Sequence, residues 1–160
     1  MTSMYMNWQT IKFGIFTLLI AFYLPFNLNA AERWYNKSQV DKGKAVFNTN
    51  CAICHGIDAA GTPEWRKPMK DGRYPPPPLN GTAHGWHHNL ELLRRQINQG
   101  GSKYEGWMPA FGESLTAEQV DAVIAYFQSF WSDQIYTAWL KRSSKQSIDP
   151  PATEQAAEKL

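Results

Sequence analysis

The sequence predicts an all-α fold in which three main helices and an extra short C-terminal helix are joined by long loops. Three segments carry apolar side chains at steps of three and four residues, and each begins with a residue that can cap a helix. Between the first and second segments, residues 56–89 show no such periodicity and are interrupted by Gly and Pro. A loop of this length in a compact domain needs something to pack on, which indicates a bound cofactor.

A pair of cysteines followed by a histidine indicates what that cofactor is. Cys51, Cys54 and His55 form a CxxCH sequence, and the two cysteines are the only ones in the chain. Each thiol can add to one vinyl group of a haem, and the adjacent histidine can bind the iron. The sequence therefore predicts one haem c, attached through Cys51 and Cys54, with His55 as the proximal ligand. The predicted loops wrap around this covalently bound group.

Two other uses of the cysteine pair are alternatives at this point. A zinc site needs four N or S ligands, and the chain offers imidazoles besides the thiols at His84, His87 and His88. A thioredoxin-type redox pair needs the CxxC sequence after a buried strand. No strand pattern precedes Cys51, so haem attachment is the main prediction.

Residues 1–30 predict an export segment that lies outside the fold. Lys12 precedes an apolar run over residues 13–26, which as a helix would span about 21 Å, less than the ~30 Å core of a bilayer. This short span favours a cleaved signal peptide. An N-terminal membrane anchor is the alternative, because Leu28 or Asn29 stands where a small residue is expected before the cleavage site. We therefore expect the domain to be periplasmic, either soluble after cleavage or tethered to the outer face of the inner membrane.

The first helix is predicted over residues 38–50. Ser38 can cap its N-terminus, with Asp41 three positions later. Gly43 and Phe47 fall at helical spacing on one face. Because Gly inside a helix costs about 1 kcal/mol relative to Ala, Gly43 indicates the close approach of another helix.

The long loop carries apolar and basic side chains. We expect Trp65, Tyr74, Leu79 and Trp86 to pack on the haem. The four successive prolines at 75–78 could alternatively be a polyproline ligand for a partner domain. The basic residues between positions 66 and 73 could face solvent, pair with haem propionates or dock an acidic partner.

Two further helices follow this loop. The second is predicted over residues 89–99, with Asn89 as its cap and the glycines at 100–101 as its end. The third begins with a capping box of Thr116 and Gln119, and it has the clearest amphipathic pattern in the chain.

The C-terminal end is predicted to hold one short helix and a tail. Ser132 can cap a helix that carries Ile135, Trp139 and Leu140. Residues 143–160 are polar and contain two successive prolines, so we expect them to form a disordered tail. The domain is accordingly predicted over residues 31–142.

Taken together, these features resemble the class I c-type cytochromes, which are exported electron carriers with a single haem. The resemblance covers residues 39–131. That family has an N-terminal helix that leads into the CxxCH motif and a C-terminal helix that crosses the N-terminal helix. Gly43 and Phe47 match the first of these helices, and residues 123–127 match the second.

The resemblance also implies two further site residues. Residues 78–81 match a proline-leucine-x-glycine segment, which implies that the Pro78 carbonyl accepts a hydrogen bond from His55. Met108, which is followed by a proline, matches the distal loop and is implied as the sixth ligand of the iron. The chain departs from compact members of the family in its longer loop before Met108 and in the helix around Trp139.

The function implied is one-electron transfer, since iron held between His55 and Met108 has no free position for a substrate. The chain is therefore expected to be an electron carrier in the periplasm or the cytochrome subunit of a respiratory oxidoreductase, and not itself an enzyme. Its expected partners are redox proteins, including a membrane oxidase or reductase. A formal charge of only +2 excludes a strong field for nucleic acid.

A haem enzyme or a gas sensor is the alternative function. Either would need an open or histidine-ligated sixth position. His84, His87 or His88 could supply the ligand or a distal base. Otherwise these three histidines are solvated loop residues beside a helix cap.

Overall fold

The structure is a computed structural model, and it describes residues 31–104 and 106–148. Within these ranges it contains α-helices and no strand, which confirms the all-α prediction. The α-helices are α1 (Lys37–Asn50), α2 (Ala52–His55), α3 (Leu90–Gln99), α4 (Ala117–Ser129) and α5 (Asp133–Ile148). Two 3₁₀-helices, His84–His87 and Ser102–Tyr104, lie in the loops.

The predictions for the two ends of the chain fall partly outside the described residues. The export segment predicted over residues 1–30 lies outside them, as do residues 149–160 of the predicted tail. Among the described residues, no helix combines the length and the apolar composition needed to cross a bilayer.

Helix α1 begins one residue earlier than predicted. Its cap is Asn36, whose side chain accepts a hydrogen bond from the backbone N–H of Gln39 at 3.0 Å. The Gln39 side chain in turn accepts from the Asn36 N–H at 2.9 Å. This reciprocal capping box leaves Ser38 inside the first turn, so the prediction that Ser38 caps the helix is wrong.

Helices α1 and α4 cross at Gly43, as the sequence predicted. A Cβ atom at Gly43 would overlap the backbone carbonyl of Ala122 and would lie 2.9 Å from the Cβ of Tyr126. Phe47, one turn further along α1, is fully buried, and its ring centroid lies 5.1 Å from that of Tyr126. The absence of a side chain at Gly43 therefore sets how closely the two helices approach.

Replacing Gly43 with valine is expected to lower the free energy of unfolding by about 3 kcal/mol, because backbone atoms of α4 would have to move. Chemical denaturation of the complete protein measures the loss. Gly85→Val is the matched control, since a Cβ at Gly85 meets nothing within 4 Å. Equal losses in the two variants, or a double-mutant cycle without coupling between Gly43 and Tyr126, would contradict the contact.

The caps predicted for α3 and α4 are confirmed. The Asn89 side chain accepts from the N–H of Leu92 at 2.9 Å and starts α3. Thr116 and Gln119 form the reciprocal capping box of α4, with bonds of 3.3 and 2.8 Å. Both helices therefore begin where the sequence placed them.

Helix α5 is longer than the short helix predicted. It starts after Ser132, whose hydroxyl accepts from the N–H of Ile135 at 3.3 Å, and it continues through residues 143–148 of the predicted tail. Tyr136 and Trp139 are buried, and the Trp139 indole donates to the His88 carbonyl at 2.7 Å. Burial of these two residues anchors the first turns, and the helix continues from them past the predicted boundary.

Candidate functional site

The two cysteines lie within one turn at the end of α1. The backbone N–H groups of Cys54 and His55 donate to the Cys51 carbonyl at 3.1 and 2.9 Å. Both thiols are half-buried, and they do not form a disulfide. Burial raises the pKa of Cys51 to about 11, so this thiol is protonated at neutral pH. The turn thus presents two unpaired thiols and an imidazole in immediate succession.

The His55 imidazole is buried and oriented by the backbone. Only 8% of the residue is exposed, and its Nδ1 lies 2.9 Å from the Pro77 carbonyl oxygen. Because a carbonyl oxygen can only accept, Nδ1 carries the proton and donates it. Burial lowers the pKa of His55, and this outweighs the opposing effect of the bond to Pro77. The imidazole is therefore neutral near pH 7, and the lone pair of Nε2 remains for a metal.

The acceptor is the carbonyl of Pro77, so the prediction that Pro78 accepts this bond is wrong by one residue. The segment around Pro77 is fixed on both sides: the Pro76 carbonyl accepts from the Thr62 N–H at 2.9 Å, and the Leu79 N–H donates to the Ala59 carbonyl at 2.8 Å. Successive carbonyls of an extended chain point in different directions. With its neighbours held in this way, Pro77 is the residue whose carbonyl faces His55.

The loop after His55 contains two supporting residues that the sequence analysis missed. Gly61 has a φ of +65°, and a Cβ there would lie 2.5 Å from backbone atoms of both Pro77 and Pro78. Its N–H also donates to the His55 carbonyl at 2.8 Å. Ala59 is fully buried with a φ of +56°, a conformation that costs energy in a residue with a side chain. The only sequence signal for Gly61 was its position between the CxxCH motif and the proline run.

Met108 lies in a loop that folds back on the end of α3. Its carbonyl accepts from the Gly101 N–H at 2.9 Å, and the Phe111 N–H donates to the Ile97 carbonyl at 3.0 Å. Gly100 has a φ of +74°, and a Cβ there would lie 2.6 Å from the Met108 carbonyl oxygen. The Met108 side chain is half-buried against the hydrophobic core. Its assignment as the sixth ligand stays a prediction.

The three histidines of the long loop lie in or beside the 3₁₀-helix His84–His87. The His84 ring stacks on Trp65 with centroids 5.4 Å apart, and it meets the His88 ring at 5.5 Å. The His87 ring packs against Trp86 at 4.0 Å. Burial is the main cause that lowers the pKa of both His84 and His88. These ring contacts give each of the three histidines a packing role in the loop.

The zinc alternative finds no support in the described part of the chain. No three His, Cys, Asp or Glu residues within it are grouped so as to hold a metal ion. The donor set that does exist, two unpaired thiols and one neutral imidazole in a single turn, fits haem c. Apolar loop side chains that the core covers only partly add to this fit: Leu79, Trp86, Met108 and Phe111.

Comparison with known proteins agrees with this chemistry. The family described as "Cytochrome C oxidase, cbb3-type, subunit III" matches residues 38–127. The chain is 36% identical over 94 residues to the cbb3-type cytochrome c oxidase subunit FixP of Sinorhizobium medicae, which covers 56% of this chain and 29% of FixP.

Shorter relatives are covered more completely. The chain is 32% identical over 94 residues to cytochrome c-555 of Prosthecochloris aestuarii, covering 52% of this chain and 80% of that protein. Cytochrome c6 of Rippkaea orientalis is 34% identical over 84 residues, with coverage of 52% and 64%. No solved structure gives a significant match. The chain thus spans most of cytochrome c-555 but less than a third of the FixP relative.

Proposed function

We propose that this chain, which belongs to the c-type cytochrome family described as cytochrome c oxidase, cbb3-type, subunit III, transfers single electrons through one covalently bound haem c. The observation that carries the proposal is the state of His55. Its Nδ1 donates a hydrogen bond to the Pro77 carbonyl, and its neutral ring lies in the same turn as two free thiols. A neutral imidazole held in this orientation can bind an iron through Nε2.

Each site residue has a defined role in this proposal. Cys51 and Cys54 would hold the haem through two thioether bonds, and His55 would bind its iron through Nε2. The Pro77 carbonyl fixes the tautomer of His55 and raises the basicity of Nε2. Met108 would supply the other side-chain ligand of the iron. When bound, haem c supplies an iron that alternates between the ferrous and ferric states.

This ligand set supports a carrier rather than an enzyme. With both His55 and Met108 bound to the iron, no position would remain for a substrate. We further propose that the protein works in the periplasm, as a soluble carrier or as a tethered cytochrome subunit of a respiratory oxidoreductase. A membrane oxidase is then the expected redox partner, because the matched family and FixP are named for such a complex.

An absorption spectrum of the reduced, exported protein tests the proposal. A c-type spectrum that does not change under carbon monoxide is expected for a six-coordinate carrier. A carbon monoxide adduct would favour the enzyme or sensor alternative. A protein without a Soret band would contradict the haem assignment altogether.

The haem is expected to stay with the polypeptide during acid-acetone extraction, because two thioether bonds hold it. Cys54→Ala removes one of these bonds and should abolish or strongly reduce the accumulation of haem protein in the export compartment. Ile53→Ala is the matched control, since the neighbouring side chain is 90% exposed and carries no thiol. Complete extraction of haem from the parent protein would show that the attachment is not covalent.

A further inference from the structure

Residues 62–76 form a compact surface loop whose two ends are joined. The Thr62 N–H donates to the Pro76 carbonyl at 2.9 Å and closes the loop at its base. Within the loop, the Met69 N–H donates to the Arg73 carbonyl at 2.8 Å, and the Gly72 N–H donates to the Met69 carbonyl at 3.0 Å. Closed loops of this length on a rigid base are frequently functional.

This loop is linked by hydrogen bonds to the surroundings of His55 and Met108, the two residues proposed to bind the iron. Its base ends at Pro76, the residue before the Pro77 carbonyl that binds His55. On its other side, the Trp107 indole donates to the Tyr74 carbonyl at 3.0 Å, and Trp107 directly precedes Met108. A partner bound to the loop would therefore contact segments that are adjacent in the chain to Pro77 and Met108.

The loop and Trp107 together present apolar and positive side chains to solvent. Met69, Tyr74 and Trp107 are 37%, 46% and 43% exposed, so Tyr74, which the sequence predicted to pack on the haem, keeps nearly half of its surface exposed. We call these three residues, together with the basic residues Arg66, Lys70 and Arg73, the basic–aromatic surface.

Two of the basic residues lie beside aromatic rings. The Arg73 guanidinium lies 5.7 Å from the centre of the Trp107 ring, and the Arg66 guanidinium lies 4.6 Å from the centre of the Trp65 ring. Aromatic and arginine side chains are the residues enriched at protein interfaces.

We propose that the basic–aromatic surface docks an acidic surface of the redox partner protein. The proposal rests on the proposed electron-transfer function and adds the chemistry of the partner. Partly exposed aromatic side chains supply contact area, and the positive side chains steer an acidic partner toward the haem. The loop holds four Lys and Arg residues against Glu64 and Asp71, so its field is positive.

The pattern of charges favours a protein over an anionic membrane. Lys67 pairs with Glu64 at 2.6 Å, and Arg73 pairs with Asp71 at 2.6 Å. An anionic lipid surface attracts every basic residue near it, and acidic residues within the patch oppose that attraction. Interspersed pairs of both signs instead suit a partner surface with its own charge pattern.

The test compares two variants of the haem protein that change the formal charge equally. The loop variant is Arg66→Glu with Lys70→Glu, and the control is Lys42→Glu with Lys44→Glu on the exposed side of α1. Stopped-flow spectroscopy follows the oxidation of each reduced protein by hexacyanoferrate(III), which accepts one electron and becomes hexacyanoferrate(II). At low salt the loop variant should react about tenfold more slowly than the parent, and the control much less so. Calorimetry with poly-L-glutamate should show binding to the parent and the control but not to the loop variant.

Three results would overturn the proposal. Equal slowing of the two variants would show a field of the whole protein and not of this surface. Poly-L-glutamate that binds all three proteins alike would place the acidic site elsewhere. Binding of the parent, but not of the loop variant, to phosphatidylglycerol vesicles in preference to poly-L-glutamate would make the surface a membrane contact. In each of these cases an unchanged c-type spectrum leaves the proposed function standing, whereas a parent without that spectrum contradicts the proposed function itself.

Discussion

Replacing both Cys51 and Cys54 with alanine is expected to remove about half or more of the helical circular dichroism of the protein, because folding is coupled to cofactor binding. Between α2 and α3 the chain has one 3₁₀-helix and otherwise irregular backbone. Apolar side chains of that loop, such as Leu79 and Trp86, are only partly covered by the core. Without the haem they lose the surface that compensates for ordering the loop.

The measurement is far-ultraviolet circular dichroism on the exported double variant and on the parent protein. Thr49→Ala with Ser144→Ala is the matched control, since both side chains are exposed small polar groups on helices. The control should keep the parental signal. If the cysteine-free protein is as helical as the parent, the packing of α1 on α4 is sufficient for folding and the loop does not depend on the haem.

The sequence predicted most of the helices because local patterns determine them. Asn89 and the Thr116–Gln119 pair cap their helices as expected, and Gly43 marked the crossing with α4. Caps and glycines act over a few residues, so a single sequence carries their signal. The prediction of the α1 cap was wrong because Ser38 and Asn36 are both good capping residues, and only the backbone conformation distinguishes them.

The details of the site were harder to predict because they depend on long-range contacts. Which carbonyl of the four prolines binds His55 is decided by bonds from Thr62 and Leu79 to their neighbours in space. The Trp139 indole of α5 bonds to the carbonyl of His88, which is 51 residues away in the chain. Neither contact leaves a periodic pattern, whereas the CxxCH motif, which is entirely local, was recognisable at once.

Met108→Ala is expected to open the sixth coordination position and to permit a carbon monoxide adduct that the parent does not form. Met108→His should keep six-coordination but lower the reduction potential, because a thioether favours ferrous iron more than an imidazole does. Different axial ligands set haem reduction potentials over a range of about 0.8 V. The shift should therefore be readily measurable by potentiometric titration. The weak near-infrared band of a ferric sulfur–iron bond should disappear in both variants.

Met69→Ala is the matched control for this ligand assignment. Met69 is 37% exposed, and its backbone forms a turn with Arg73. Met108, by contrast, is half-buried against the hydrophobic core. Replacement of Met69 should leave the spectrum, the potential and the resistance to carbon monoxide unchanged. His84 and His88 are engaged in ring packing with Trp65 and with each other, so they are not expected to replace the lost thioether. A parent without the sulfur band, or a Met108→Ala variant with the parental spectrum and potential, would place the sixth ligand elsewhere and return the histidine-ligated or open-site alternative.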